Sequence, residues 1–220
     1  MELEDNEKKD SLKNFRSFGQ QIVDTASVFY RRGWLFGTSG NLSAVINETP
    51  LQIAITGSGL NKGKIDLSGL IVIDVNGNVI SGNKKVSSEA DLHIAVIREM
   101  HAGSVFHTHS VWSTMLSKRY LKDGGILIRG YEMLKGLNNV GTHEHSEWIP
   151  IIENSQDMKT LSATVTSILR QHPEVHGFML SGHGLYTWGK TPEEAERHVE
   201  VIEFLLEVYG RGNAGTDNIP

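Results

Sequence analysis

The chain has 220 residues, 39% of them hydrophobic and 21% charged, with a formal net charge of -5. These values fit one globular domain with a sizeable core and give no concentrated positive field for nucleic acid. Cysteine is absent, which excludes disulfides, thiolate metal ligands and thiol nucleophiles, so any transition metal must use His, Asp or Glu.

The opening "MELEDNEKKD" is polar and has no apolar signal core, so residues 1–10 are expected to be a flexible N-terminus and the expected location is the cytoplasm. No apolar run approaches a membrane span. From Leu12, the apolar residues Phe15, Ile22, Ala26 and Phe29 recur at helical spacing, and Gly33 can end that helix. "GNLSAVI" alternates, with Leu42, Ala44 and Ile46 on one face, and "QIAIT" places Ile53 and Ile55 together. "LIVIDVNGNVI" holds Asn76-Gly77 between apolar runs, the signal of a tight hairpin.

A helix is predicted from "SSEADLH", with Ser88 and Asp91 as a capping box, ending near Gly103. "SVFHTHS" follows as a short strand, then an apolar, turn-rich stretch and a strand at "EWIPIIEN". "DMKTLSATVTSILRQHP" is predicted helical with Leu161, Val165 and Ile168 inward, and "HGFMLSGHGLYTWG" reads as two strands around a Gly-His-Gly corner. The last helix, "TPEEAERHVEVIEFLLEVYG", has Thr191, Pro192 and Glu194 as start signals, and its buried stripe runs through Ala195, Val199, Ile202, Leu206 and Tyr209. The sum is one α/β domain over residues 11–210, with a mobile tail at 211–220. Hairpins and mixed spacing argue against a purely parallel sheet.

Residues two apart on a strand share a face, so His107 and His109 would project together at a separation that one cation can bridge. A catalytic zinc site commonly takes three protein ligands. His183, between two glycines that let the backbone come close, is the candidate third ligand. His143 and His145 form a second, looped His-X-His. His93, His101, His172, His176 and His198 read as structural or solvated. Three segments suit an anion: "GTSGNLS" around Asn41, "TGSGLNKG" around Thr56 and Gly57, and "VSSEADLH" with Ser87 and Ser88 at a helix N-terminus. Two carboxylates stand beside these motifs. Glu89 lies in a first helical turn, and Glu132 lies in the apolar, glycine-containing "RGYEMLKGL".

In this order, "GWLFGTSGNLS", "TGSGLNKG", "KVSSEADLH", "FHTHS" and "SGHGLYTWG" resemble the class II aldolase/adducin superfamily across residues 33–189. Within it, "YEMLKGL" and "IPIIEN" are similar to the methylthioribulose-1-phosphate dehydratases of methionine salvage. The resemblance implies a central, mainly antiparallel sheet between helical layers. It also implies a homo-oligomer, usually a tetramer, with sites near subunit interfaces. It implies one zinc ion per subunit on His107, His109 and His183, and a sugar phosphate held by Asn41, Thr56, Gly57, Ser87 and Ser88. Glu132 matches the acid/base of the dehydratases and Glu89 that of the aldolases. The implied reaction is dehydration of 5-methylthioribulose 1-phosphate to 5-methylthio-2,3-dioxopentyl phosphate, making the chain a hydro-lyase. The alternatives are a sugar-phosphate aldolase or epimerase, such as one acting on fuculose phosphate, and a non-catalytic adducin-like module. No nucleic-acid or membrane partner is expected.

Overall fold

The computed structural model describes the backbone of residues 2–213, and side chains from Lys9 onward. Part of the expected tail, residues 214–220, lies outside the described residues. The first helix, α1 (Glu2–Arg31), begins well before the apolar repeat and runs through the expected flexible N-terminus. It is followed by β1 (Asn41–Glu48), β2 (Leu51–Thr56), β3 (Leu70–Asp74) and β4 (Val79–Ser81). Next come α2 (Ala90–Met100), β5 (Ser104–Thr108), α3 (Val111–Arg119) and β6 (Gly125–Arg129). Then come β7 (Ser146–Ile152), α4 (Met158–Gln171), β8 (Gly177–Leu180), β9 (Gly184–Gly189) and α5 (Pro192–Asn213).

Among the described residues nine strands form one sheet in the order β4-β3-β2-β1-β5-β9-β8-β7-β6, in which only β7 and β8 run parallel. This is the expected mainly antiparallel sheet flanked by helices. Both faces are covered, so the central strands are buried along their whole length, and period-2 alternation separates two apolar layers rather than core from solvent. On β5, Val105 enters the layer beneath α2 and α4, while Phe106 enters the layer beneath α1 and α5. On β8, Phe178 and Leu180 join the first layer and Met179 turns to the side of α5. Leu92 and Val96 of α2 are fully buried, each contributing about 1.5–3 kcal/mol by removal from water.

The Asn76-Gly77 hairpin forms, with Gly77 at φ +80° and Asp74 Oδ1 accepting from the amides of Asn76 and Asn78. Thr191 Oγ1 caps α5 by accepting from Glu194 N. The Glu194 carboxylate reaches back to Lys190 N, one residue beyond the reciprocal partner that the box anticipates. At α2 the Ser88–Asp91 box does not form: the helix starts at Ala90, whose amide bonds the carbonyl of Ser87. Ser87 Oγ instead accepts from Glu89 N and Asn41 Nδ2, and the Glu89 side chain is left free to point away from its own helix end. In α4, Leu169 is fully buried where Ile168 was expected to carry the stripe, and Ile168 packs at the margin. Helix α3 and strand β6 occupy the stretch read only as apolar and turn-rich. Helix α3 has weak amphipathic signal because Ser113 and Ser117 supply much of its buried face.

One buried polar cluster ties the loop before β7 to the sheet. Glu147 accepts from His145 Nε2 at 2.8 Å and from the backbone and Nδ1 of His176, while His176 Nε2 donates to Asn138 O at 2.8 Å. Both ring nitrogens of His176 thus face acceptors, which favours the imidazolium. Burial opposes that charge, but the hydrogen bond and charge of Glu147 prevail and raise its pKa above the ordinary 6.5. Burial likewise pushes the Glu147 carboxyl up, and the bond from His176 outweighs it, leaving the pKa below 4.5. The histidine contribution is complete below pH 6.5 and lost as pH rises through the raised folded value. The glutamate contribution is present above pH 4.5 and lost as pH falls through the depressed one. Glu147→Gln is therefore expected to cost about 3 kcal/mol, the scale for breaking a buried pair. In denaturant titrations, the gap to the wild type should be widest near pH 5–6.5 and narrow on the alkaline side. A gap independent of pH would contradict the assignment.

Candidate metal centre

Strand register builds the site. His107 pairs with Tyr186 across β5 and β9, and its ring stacks on the phenol with centroids 3.9 Å apart. His107 Nδ1 lies 2.9 Å from the carbonyl of Leu185 and donates to it. A neutral His107 then carries no proton on Nε2, and that bare lone pair looks out of the sheet end. Two glycines permit this crowding. A Cβ on Gly184 would stand 2.0 Å from Thr108 O and 3.1 Å from His107 Cε1. Gly40, at φ +68°, would place one 2.6 Å from His107 O.

His109 lies just past the end of β5, and its backbone amide bonds Trp34 O rather than a strand partner. The turn still swings its ring to the face of His107: the two Nε2 atoms are 2.8 Å apart. His183, from the turn between β8 and β9, brings its Nε2 to 3.3 Å from that of His107. Glu89, at the start of α2, closes the group with Oε1 3.0 Å from His183 Nε2. One ligand atom from each of Glu89, His107, His109 and His183 falls within a 4.8 Å cluster. Nitrogen lone pairs this close repel unless a proton or cation lies between them. Three imidazoles and a carboxylate are a donor set that suits a divalent transition metal. The donor chemistry therefore fits a metal ion.

The electrostatics agree. Burial, opposed by Glu89, drives the His107 pKa well below its ordinary value, and burial with the neighbouring His183 takes His109 to about 4. Both rings are thus neutral and ligand-ready at pH 7. Burial alone would push Glu89 up, but the hydrogen bond from His183 and the neighbouring histidines hold it well below the carboxylate range. Asn41 Nδ2 donates to Glu89 Oε2 at 2.5 Å, and Asn41 Oδ1 accepts from His93 Nε2. His93 Nδ1 in turn meets Ser43 Oγ at 2.7 Å. His93, expected to be merely structural, is the buried link that fixes the Asn41 amide and hence the carboxylate; its position on a helix gave no sign of that role.

The anion-type segments converge on the same end of the sheet. Ser58 N bonds Lys85 O, Asn41 reaches Ser87, and Gly57 packs on Lys84. Thr56 Oγ1 accepts from Leu42 N, and Gly57 N bonds Gly69 O. Among the described residues, neither Gly57 nor Ser88 makes a hydrogen bond that joins one of these segments to another. Lys62, inside the "TGSGLNKG" motif but not singled out by sequence, is 2% exposed and donates to Thr38 O and Leu60 O. It clips two of the three segments together. Burial lowers its pKa to about 8 against the pull of Glu89.

Glu132 is elsewhere. It begins an exposed 3-10 turn (Glu132–Gly136), with its carboxylate paired to Lys135 and 3.6 Å from His143 Nδ1. Among the described residues its carboxylate meets Lys135 and His143 and no member of the histidine cluster. His143 therefore stays on the surface, and His145 belongs to the Glu147 cluster. Thr108, between the paired histidines, points to the opposite face, where Oγ1 donates to the buried Glu203.

Residues 20–210 match the family described as Class II Aldolase and Adducin N-terminal domain. The methylthioribulose-1-phosphate dehydratase of Hahella chejuensis is 38% identical over 196 residues, covering 89% of this chain and 93% of that protein. The protein of the same name from Pseudomonas fluorescens is 40% identical over 189 residues, covering 86% and 89%. The fold is similar to the L-fuculose-1-phosphate aldolase of Thermus thermophilus, with a TM-score of 0.71 at 19% identity over 93% of this chain and all of that one. With these matches across the whole domain, the chain belongs to the class II aldolase and adducin family and, within it, to the methylthioribulose-1-phosphate dehydratases.

Proposed function

We propose that this chain is a metal-dependent hydro-lyase that converts 5-methylthioribulose 1-phosphate to 5-methylthio-2,3-dioxopentyl phosphate. The activity is the one named for its 35–40% identical relatives, and on this reading the enzyme acts in methionine salvage. The observation that carries the metal dependence is the convergence of three imidazole nitrogens and one carboxylate. We take the ion to be zinc, one per subunit, on His107, His109 and His183.

The substrate has a ketone at C2 and hydroxyls at C3 and C4. A bound divalent cation supplies Lewis-acid stabilisation of the negative charge that develops when the C3 proton leaves. The protein has four tasks around that step. His107, with its tautomer fixed by Leu185 O, and His109 and His183 hold the ion. Asn41, Thr56, Gly57, Ser87 and Ser88 bind the phosphate, with Lys62 bracing their loops and adding positive charge, so that C3 is presented to the base. Glu89 is pinned between Asn41 and His183, and its depressed pKa makes it a weak base and a good anchor for the cluster. Glu132 takes the C3 proton and returns it to the departing C4 hydroxyl, a contribution of about 10²–10⁴-fold. The resulting enol ketonises to the diketone.

Glu132 stands away from the cluster of its own chain, flanked by the exposed apolar side chains Tyr131 and Met133. Such a patch is suited to a subunit contact. We infer a homotetramer in which this turn approaches the site of a neighbour. The cytoplasm is the proposed location; among the described residues no helix is long and apolar enough to cross a membrane. A sugar-phosphate aldolase shares the enolate chemistry and is the second reading, supported by Glu89 at the cluster.

Four outcomes follow. Purified protein supplied with zinc should form the diketone from 5-methylthioribulose 1-phosphate and leave fuculose 1-phosphate uncleaved; the reverse result would sink the dehydratase reading. Chelation should abolish turnover and lower the melting temperature, with both restored by zinc, since a ligand at 100 times its Kd stabilises by about 2.7 kcal/mol. Glu132→Gln should lose at least about 10²-fold in kcat with metal still bound, whereas Glu89→Gln should weaken metal binding itself. Mixed tetramers of Glu132→Gln and His107→Ala chains should regain activity if the base crosses the interface, and stay inactive if each chain is self-sufficient.

A further inference from the structure

Helix α5 buries a carboxyl group that neither the fold nor the proposed reaction explains. Glu203 is 3% exposed among Val201, Ile202, Leu205 and Leu206. Its Oε1 accepts from Thr108 Oγ1 at 2.8 Å, its Oε2 is buried without a hydrogen-bond partner, and the hydroxyl of Ser110 lies beside it. No cation pairs with it among the described residues. A buried polar atom left unsatisfied is costly, and an apolar side chain of the same volume would suit this layer better. The residue therefore calls for a use that packing does not supply.

The two side chains at the carboxyl name that use. Thr108 and Ser110 are the immediate neighbours of His109. Strand pairing ends at Thr108, opposite Leu185, so the register of the sheet fixes His107 but not His109. Ser110 is the N-cap of α3, its Oγ accepting from Ser113 N at 2.9 Å. His109 thus lies in the single step between a strand end and a helix start, with its own ring turned to the opposite face from Glu203. We propose that Glu203 is a positioning residue: it holds the Thr108–Ser110 step against α5, so that the ring of His109 meets those of His107 and His183. The inference rests on reading the three histidines as metal ligands, and it extends the support of that site through the sheet to the C-terminal helix.

The test is metal affinity and ligand geometry, measured without turnover. Wild type, Glu203→Met and Glu203→Gln are titrated with zinc against a chromophoric chelator and with Co²⁺, whose visible absorption reports the ligand field. Methionine keeps the volume and removes a buried, half-satisfied carboxyl, which offsets the lost acceptor of Thr108, so the apoprotein should melt close to wild type. Its metal affinity should nonetheless fall about 10-fold or more, the scale seen when support behind a ligand is removed, with a changed cobalt spectrum. Glutamine keeps the acceptor and should bind close to wild type. The opposition of unchanged apo stability and weakened binding is not what a purely structural residue would give. A second pair reads the same link from the other side: Thr108→Val should weaken binding and Thr108→Ser should restore it, and this pair decides the matter if the Glu203 variants do not fold. Wild-type affinity and spectrum in Glu203→Met, or in Thr108→Val, would overturn the proposal while leaving the metal site intact. A wild type that binds neither ion would overturn both.

Discussion

Everything at this site depends on one hydrogen bond, from His107 Nδ1 to the carbonyl of Leu185. It fixes which nitrogen of a fully buried imidazole carries the proton, and so leaves Nε2 as a lone pair facing His109 and His183. The bond exists because β5 and β9 pair with His107 opposite Tyr186 and because Gly184 lets the strands close up with no side chain in the way. The sheet register is therefore a chemical specification. A slip of one residue would send His107 to the layer of α1 and α5 and Thr108 to the site.

Around that centre the molecule divides its work by layer. On the face of α2, Asn41, His93 and Ser43 form a buried chain that fixes Glu89 against His183. The opposite face carries Thr108 and Glu203 beneath His109. Loops at the sheet end bring the anion-type segments together, braced by Lys62. Farther off, Glu147 and His176 fasten the loop that follows the Glu132 turn. The candidate metal centre and the Glu147 cluster are thus separate polar groups in one double-faced core.

The sequence was most legible where local chemistry dictates structure. The Asn76-Gly77 hairpin, the strand faces of Leu42 and Ala44 or Ile53 and Ile55, and the Thr191 start of α5 follow from turn preferences, alternation and capping. The three histidines were legible as candidates because same-face spacing and a glycine-flanked corner are written in the chain. The start of α2 was misread because Ser87 and Glu89 are recruited by Asn41, a partner 46 and 48 residues away, and tertiary bonds override the local box. Helix α3 was missed because serines fill its buried face. His93, Lys62 and Glu203 have roles set by what lies across the sheet, and no spacing rule encodes that. Glu132 is marked in the sequence by its apolar, glycine-containing surroundings and by resemblance, and its distance from the cluster in one chain is a fact that only the fold supplies.

The most direct test of the central claim is X-ray absorption spectroscopy at the zinc edge on protein loaded with one equivalent of the metal. The account predicts multiple-scattering features of three imidazoles with additional oxygen in the first shell. His107→Ala should remove one imidazole and lower the affinity. A first shell of oxygen alone, or a spectrum unmoved by His107→Ala, would contradict the assignment of His107, His109 and His183 as a metal centre.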